Sequence, residues 1–183
     1  MIKNLQFLPV SWQDLHNSCF EAAKKIIKKE IKFSRIIAIS RGGLVVSRIL
    51  SDFLELPISC FTIVAYAGIN NKKRARIVED LKIGIADETI LLVDEVADSG
   101  ETFILALNYL KKYKPKKVYT IAPFIKPWTK FKPDFWQEKT RSWIIFPYDV
   151  YETVNQLKNK VSDNQIIKLG LAKKQVDYFL NII

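Results

Sequence analysis

Two adjacent carboxylates, Asp94 and Glu95, follow the apolar run Thr89-Ile90-Leu91-Leu92-Val93, and three residues later Asp98-Ser99-Gly100-Glu101-Thr102 opens a helix-like stretch. Neighbouring carboxylates suit the two hydroxyls of a ribose, or a Mg²⁺ held directly or through water, because that ion prefers oxygen ligands and keeps much of its hydration. The amides of Ala97 through Thr102, with the hydroxyls of Ser99 and Thr102, suit a phosphate monoester. Helix capping by Asp98 or Ser99 accounts for the second half of this loop but not for acidic residues at the end of a hydrophobic strand. A second loop, Ser40-Arg41-Gly42-Gly43, lies between Ile36-Ile37-Ala38-Ile39 and a helical stretch. Consecutive glycines allow close backbone approach, and Arg41 adds a cation beside the helix-start amides, so this turn is a second candidate anion site. A third feature is basic: Lys72-Lys73-Arg74-Ala75-Arg76 after Gly68-Ile69-Asn70-Asn71 reads as a loop carrying four cations.

These loops need a frame. Leu15, Cys19, Ala22, Ala23, Ile26 and Ile27 recur at helical spacing and predict a helix over Trp12 to Lys29, with Ser11 or Asp14 at its start. Strands are expected at Ile36–Ile39, Ile58–Tyr66, Thr89–Val93 and Lys117–Ala122, and helices over Leu44–Leu54 and Phe103–Tyr113. Strands alternating with helices predict an α/β fold with a mostly parallel central sheet flanked by helices on both faces. Ligands in such sheets sit beyond the carboxyl ends of the strands, where both unusual loops fall. From Pro123 the texture turns to proline and tryptophan, which predicts a small hood subdomain. Residues 152–183 read as one or two short helices around Gly170, a C-terminal extension of the 1–151 domain, whose core spans about 30–122 and hood about 123–150.

Composition narrows the partners. The chain has 183 residues, 49% of them hydrophobic, enough for one sizeable core. No apolar run approaches the ~18 residues of a membrane span, and the opening residues lack a signal-peptide core, so a soluble cytoplasmic protein is expected. Two cysteines and a single histidine exclude a zinc-ligand set or a disulfide framework. The formal charge of +10 fits an anionic small substrate, a nucleic acid, or a lysine-rich solvated surface.

The hydrophobic run, acidic pair and Val-Ala-Asp-Ser-Gly-Glu-Thr together resemble the signature by which type I phosphoribosyltransferases bind phosphoribosyl pyrophosphate (PRPP). Ile-Ser-Arg-Gly-Gly-Leu-Val resembles the pyrophosphate loop of that family. The likeness is nearest to xanthine-guanine (6-oxopurine) phosphoribosyltransferases, archaeal forms included, and runs from Val10 to about Tyr151. Beyond the two loops it is carried by Ile125-Lys126-Pro127-Trp128-Thr129 and Trp143-Ile144-Ile145-Phe146-Pro147-Tyr148-Asp149.

The resemblance implies a purine salvage enzyme dependent on Mg²⁺. By it, Asp94 and Glu95 hold the ribose hydroxyls and the metal, with Glu95 as metal ligand. Asp98 is the carboxylate near purine N7 and the catalytic proton acceptor. Ala97, Asp98, Ser99, Gly100, Glu101 and Thr102 bind the 5′-phosphate; Arg41 and Gly42, with Lys73 and Arg74 from a mobile loop, meet the pyrophosphate. Lys126 donates to the 6-oxo group, Trp143 stacks on the base, and the Ile144 carbonyl meets the 2-substituent. An ammonium is a donor only, so it suits guanine, xanthine or hypoxanthine and leaves a 6-amino group unpaired. Two departures stand out: the acidic pair is Asp-Glu rather than Asp-Asp, and Ala65 replaces a serine before Tyr66. A homo-oligomer, dimer or tetramer, is expected, with no membrane or nucleic acid as partner. The alternatives are a PRPP-sensing, nucleic-acid-binding regulator of the same fold, and a phosphoribosyltransferase for another base.

Overall fold

The computed structural model describes residues 6–67, 73–158 and 160–182, with backbone alone at 65–67 and 73–74. The described chain falls into two compact units, one formed by Asn17–Thr140 and the other by the residues up to His16 together with those from Arg141 onward.

In the larger unit, a five-stranded sheet is built from β2 (Arg35–Ser40), β3 (Ile58–Ala67), β4 (Lys73–Glu79), β5 (Thr89–Val93) and β7 (Lys117–Ile121), in the order β4-β3-β2-β5-β7. All neighbours are parallel except β3 and β4. The β-branched runs of β2 and β5 sit in the middle because both of their faces are covered. Ile37, Ile39, Ile90 and Leu92 share one cluster with Phe103, Ala106 and Leu110 of helix α3 (Glu101–Leu110). The alternate residues Ile36, Ala38, Leu91 and Val93 are equally buried on the opposite face, and helix α2 (Gly43–Leu54) packs along β2.

Parallel pairing with Ala38 opposite Val93 brings the ends of β2 and β5 to the same sheet edge, so the Ser40–Gly43 turn and the Asp94–Thr102 loop are neighbours. The second loop contains a two-residue strand, β6 (Val96–Ala97). It pairs in parallel with β8 (Phe124–Ile125), which pairs in turn with β9 (Glu138–Lys139).

In the smaller unit, β1 (Phe7–Pro9) pairs in parallel with β10 (Trp143–Ile145). Helices α4 (Val150–Leu157), α5 (Asp163–Ile167) and α6 (Lys173–Ile182) bury Val154, Leu157, Ile166 and Val176 in a cluster with Ile145. Helix α1 (Trp12–Ile27) begins in this unit and runs on into the larger one. The Ser11 hydroxyl accepts from the Asp14 amide at 3.1 Å, while Asp14 Oδ2 accepts from the Ser11 hydroxyl at 2.6 Å and from the Ser11 amide at 3.0 Å; the hydroxyl bond, then the amide bond, holds the Asp14 carboxyl below the usual range.

Four expectations need correction. The basic segment is not a loop from Lys73 onward: Lys73–Arg76 belongs to β4, antiparallel to β3. Its strand period is written in Ala75 and Ile77, half-buried, against exposed Arg76 and Val78, and the charges mask it. Lys72 and Gly68 to Asn71 lie outside the described residues, as do the side chains of Lys73 and Arg74. The α-helix after Gly100 stops at Leu110, and Lys111–Tyr113 tightens to a 3₁₀ turn. Gly100, rather than Asp98 or Ser99, is the N-cap residue of α3, although Ser99 Oγ accepts from its first amide at 3.3 Å. Finally, the C-terminal residues form three helices rather than one or two. The short α5 shows no apolar period, but Ser162 and Gln165 form a full capping box that starts it. Among the described residues, no helix is long and apolar enough to cross a membrane.

Candidate active site

The end of β5 delivers Asp94 into a nearly closed environment: its residue is 7% exposed and its Oδ1 accepts from the Glu95 amide at 3.0 Å. Burial, then the neighbouring charge of Glu95, pushes the Asp94 carboxyl well above the ordinary carboxylate range. Glu95 is half-buried, and its Oε2 is shut away from solvent with no hydrogen-bond partner. An unpartnered buried carboxylate oxygen is costly by itself. It is well matched to a cation.

That carboxylate lies against the Gly42 backbone. A Cβ built on Gly42 would overlap Glu95 Oε2, and one on Gly43 would strike the Val93 carbonyl oxygen and stand 3.2 Å from Asp94 Cα. The two glycines therefore do different things. Gly43 lets the start of α2 pack on the end of β5, and Gly42 leaves room for a carboxylate inside the turn. Arg41 beside them is exposed, and the Ser40–Arg41 peptide bond is cis.

The residues present fit Mg²⁺. The pair Asp94 and Glu95 offers hard oxygen donors, one with an open lone-pair site. Two carboxylates without an all-protein cage are the donor set for an ion that keeps waters and takes substrate phosphates.

The loop beyond β5 is strapped from one side. The Lys126 amide donates to the Ala97 carbonyl at 3.0 Å, and the Lys130 amide to the Ser99 carbonyl at 3.0 Å. Between them, the Trp128 indole Nε1 donates to Asp98 Oδ1 at 2.8 Å. Gly100 adopts φ +85°, and a Cβ there would come within 2.6 Å of the Phe131 nitrogen. The strap holds carbonyls 97 and 99, and the first amides of α3 follow immediately. The Glu101 amide donates to Ser99 Oγ at 3.3 Å, which leaves the Ser99 proton available. The opening turn of a helix has amides without intrahelical acceptors, the arrangement that accepts a phosphate.

Lys126 is buried, 7% exposed, with burial lowering its ammonium pKa against the opposing pull of Asp98. Its Nζ lies 5.8 Å from the Trp128 ring centroid. Asp98, Lys126 and the 97–102 loop are thus brought together in one unit, with Asp94, Glu95, Arg41 and Gly42 along the same sheet edge. Trp143 and Ile144 lie on β10 in the smaller unit, where they pair with Phe7 and Leu8; Trp143 is 41% exposed. Sequence reasoning used Trp128 only within the family resemblance and gave it no role in the site. A tryptophan two residues after a candidate binding lysine was the available signal, but the direction of its N–H is visible only in three dimensions.

Residues 11–154 match the family model described as "Phosphoribosyl transferase domain". A xanthine-guanine phosphoribosyltransferase of Idiomarina loihiensis is 30% identical over 143 residues, covering 78% of this chain and 86% of that protein. Among solved structures, a purine phosphoribosyltransferase from Pyrococcus horikoshii is similar at 26% identity and TM-score 0.70, covering 78% of this chain and 93% of that one. A hypothetical protein from Neisseria gonorrhoeae, crystallised with bound ppGpp, is similar at 27% identity and TM-score 0.72, covering 80% and 90%.

Proposed function

We propose that this chain, which belongs to the phosphoribosyltransferase family, moves the 5-phosphoribosyl group of PRPP onto a 6-oxopurine, releasing pyrophosphate. The observation that carries this reading is the strap: one short segment, Lys126 to Phe131, holds the loop suited to a 5′-phosphate and also contributes the buried ammonium suited to a 6-oxo group. The xanthine-guanine and purine enzymes among its relatives support the same substrate class.

In this reading the 5′-phosphate rests on the amides of Ala97 to Thr102, and the ribose hydroxyls face Asp94 and Glu95. Glu95, with Asp94 behind it, would hold Mg²⁺, which when bound neutralises charge on the pyrophosphate. Arg41 and the Gly42 backbone line the leaving-group side, where Lys73 and Arg74 of β4 are further candidates. As the C1′–oxygen bond to pyrophosphate breaks, the electron pair leaves with the phosphate, and fixed positive charge stabilises that change. The new C1′–nitrogen bond forms to the purine, and Asp98 receives the proton the base gives up. Lys126 donates to the 6-oxo group, while Trp143 and the Ile144 carbonyl are the proposed contacts to the ring face and the 2-substituent. Adenine carries an amino donor at the 6-position where Lys126 calls for an acceptor, and a desolvated donor left unpaired is penalised.

The test is nucleotide formation from PRPP and Mg²⁺ with guanine, xanthine, hypoxanthine and adenine in parallel, with Asp98→Asn as control. Transfer to oxopurines, poor transfer to adenine, and a large loss in the variant are expected. PRPP binding without transfer to any base would overturn the proposal in favour of a PRPP-sensing regulator.

A further inference from the structure

The Trp128 side chain is out of place as packing. It is 51% exposed, yet its one polar atom is committed to the carboxylate proposed to receive the proton: Nε1 donates to Asp98 Oδ1 at 2.8 Å. Asp98 is itself an exposed side chain on a loop, free in principle to take several rotamers. The backbone on both sides of Trp128 is pinned, through Lys126 to Ala97 and through Lys130 to Ser99, so the indole is presented to Asp98 from a fixed base. The same ring has Lys126 Nζ 5.8 Å from its centroid, so it stands beside both charged groups of the proposed base site.

The geometry points to Trp128 as a positioning residue for Asp98: its indole N–H holds one carboxylate oxygen, so that the other faces the purine. The chemistry favours this particular partner. An indole N–H donates only and carries no charge, so it fixes an oxygen without competing for the proton and without neutralising the carboxylate as a cation would. A general base must be held within hydrogen-bond reach of its proton, and small misplacements cost rate steeply. Because the indole bonds the carboxylate that receives the proton, the role of Trp128 is in turnover rather than in PRPP binding. The inference rests on the oxopurine transfer reading above.

The experiment pairs kinetics with a resonance. Trp128→Phe keeps an aromatic ring over Lys126 and removes the N–H. It is expected to lower kcat with guanine or hypoxanthine by about tenfold or more, with the KM for PRPP within about twofold of wild type and the melting temperature unchanged. In ¹H–¹⁵N spectra of the full chain, the indole signal absent from Trp128→Phe identifies Trp128. That proton should exchange slowly in wild type and quickly in Asp98→Ala, an outcome independent of activity. Wild-type kcat in Trp128→Phe alongside a crippled Asp98→Asn would overturn the positioning role, as would an indole proton indifferent to Asp98. If the wild type itself transfers to no oxopurine, the proposed function fails and this inference falls with it, a result distinguishable because the unmodified protein is then silent.

Discussion

Gly42 and Glu95 form a matched pair, one residue giving up its side chain so that the other can bring a carboxylate into the turn after β2. Alanine at 42 would force the Glu95 carboxylate out of that place while leaving the exposed turn free to adjust. Gly42→Ala is expected to lower kcat/KM for PRPP by roughly 10²-fold, the usual cost of misplacing a binding group by about an ångström, with little change in melting temperature. Unchanged kinetics would mean that Glu95 works from another rotamer. Asp94 supplies a different prediction. Folding favours its protonated form, so the stability this group contributes is complete below its unfolded pKa of about 3.9 and is lost as pH rises through the elevated folded value. Asp94→Asn cannot ionise and keeps an oxygen for the Glu95 amide, so it should stabilise the Mg²⁺-free protein at neutral pH by about 1–2 kcal/mol. That is roughly 2–8 °C at this length, and the gain should vanish near pH 3, as melting curves at the two pH values would show. The same substitution should weaken PRPP-dependent turnover. Acidic residues closing an apolar strand were legible as chemistry because burial makes them expensive. The orphaned Glu95 oxygen and the Trp128 bond were not, since neither side-chain direction is encoded in residue type.

Among the elements, the strap from Lys126 to Phe131 decides how the 97–102 loop is held. Gly100 is where it fits most tightly, with a positive φ and the Phe131 backbone 2.6 Å from the place of a Cβ. Gly100→Ala therefore meets both the left-handed penalty of about 1–2 kcal/mol and a backbone overlap. A total loss of about 2–4 kcal/mol is expected in denaturant unfolding, together with loss of PRPP binding; a loss below about 0.5 kcal/mol would show that the strap yields. The central elements were readable because β2 and β5 are short β-branched runs followed by turn residues, and α2 carries a clean helical period. β4 was not, because charged residues interrupt it, Arg76 and Glu79 standing at exposed positions, and its edge placement removes the need for a continuous apolar run. The pairings of β6 with β8 and of β1 with β10 are two or three residues long and bridge distant parts of the chain, so no local pattern announces them.

For the molecule as a whole, the two cysteines offer a direct measure of which surfaces stay exposed in solution. Cys19 is fully buried in α1, and burial pushes its thiol up to about 12. Only the thiolate reacts, so at pH 8 roughly one Cys19 in ten thousand is in reactive form even before access is considered. Cys60 projects from β3 to the exterior of the single chain. A monomer with this fold should therefore release one equivalent of chromophore quickly from an aromatic disulfide reagent and a second only on unfolding. The homo-oligomer expected from the family resemblance makes a sharper statement possible, because a partner covering the outer side of β3 would protect Cys60 as well. Thiol counting on the native protein, repeated across a dilution series that sedimentation shows to dissociate it, separates the cases. One fast thiol at every concentration leaves that side of β3 outside the interface. A fast thiol that emerges only on dilution places β3 within it. Two fast thiols in the native protein would contradict the buried position of Cys19 on α1.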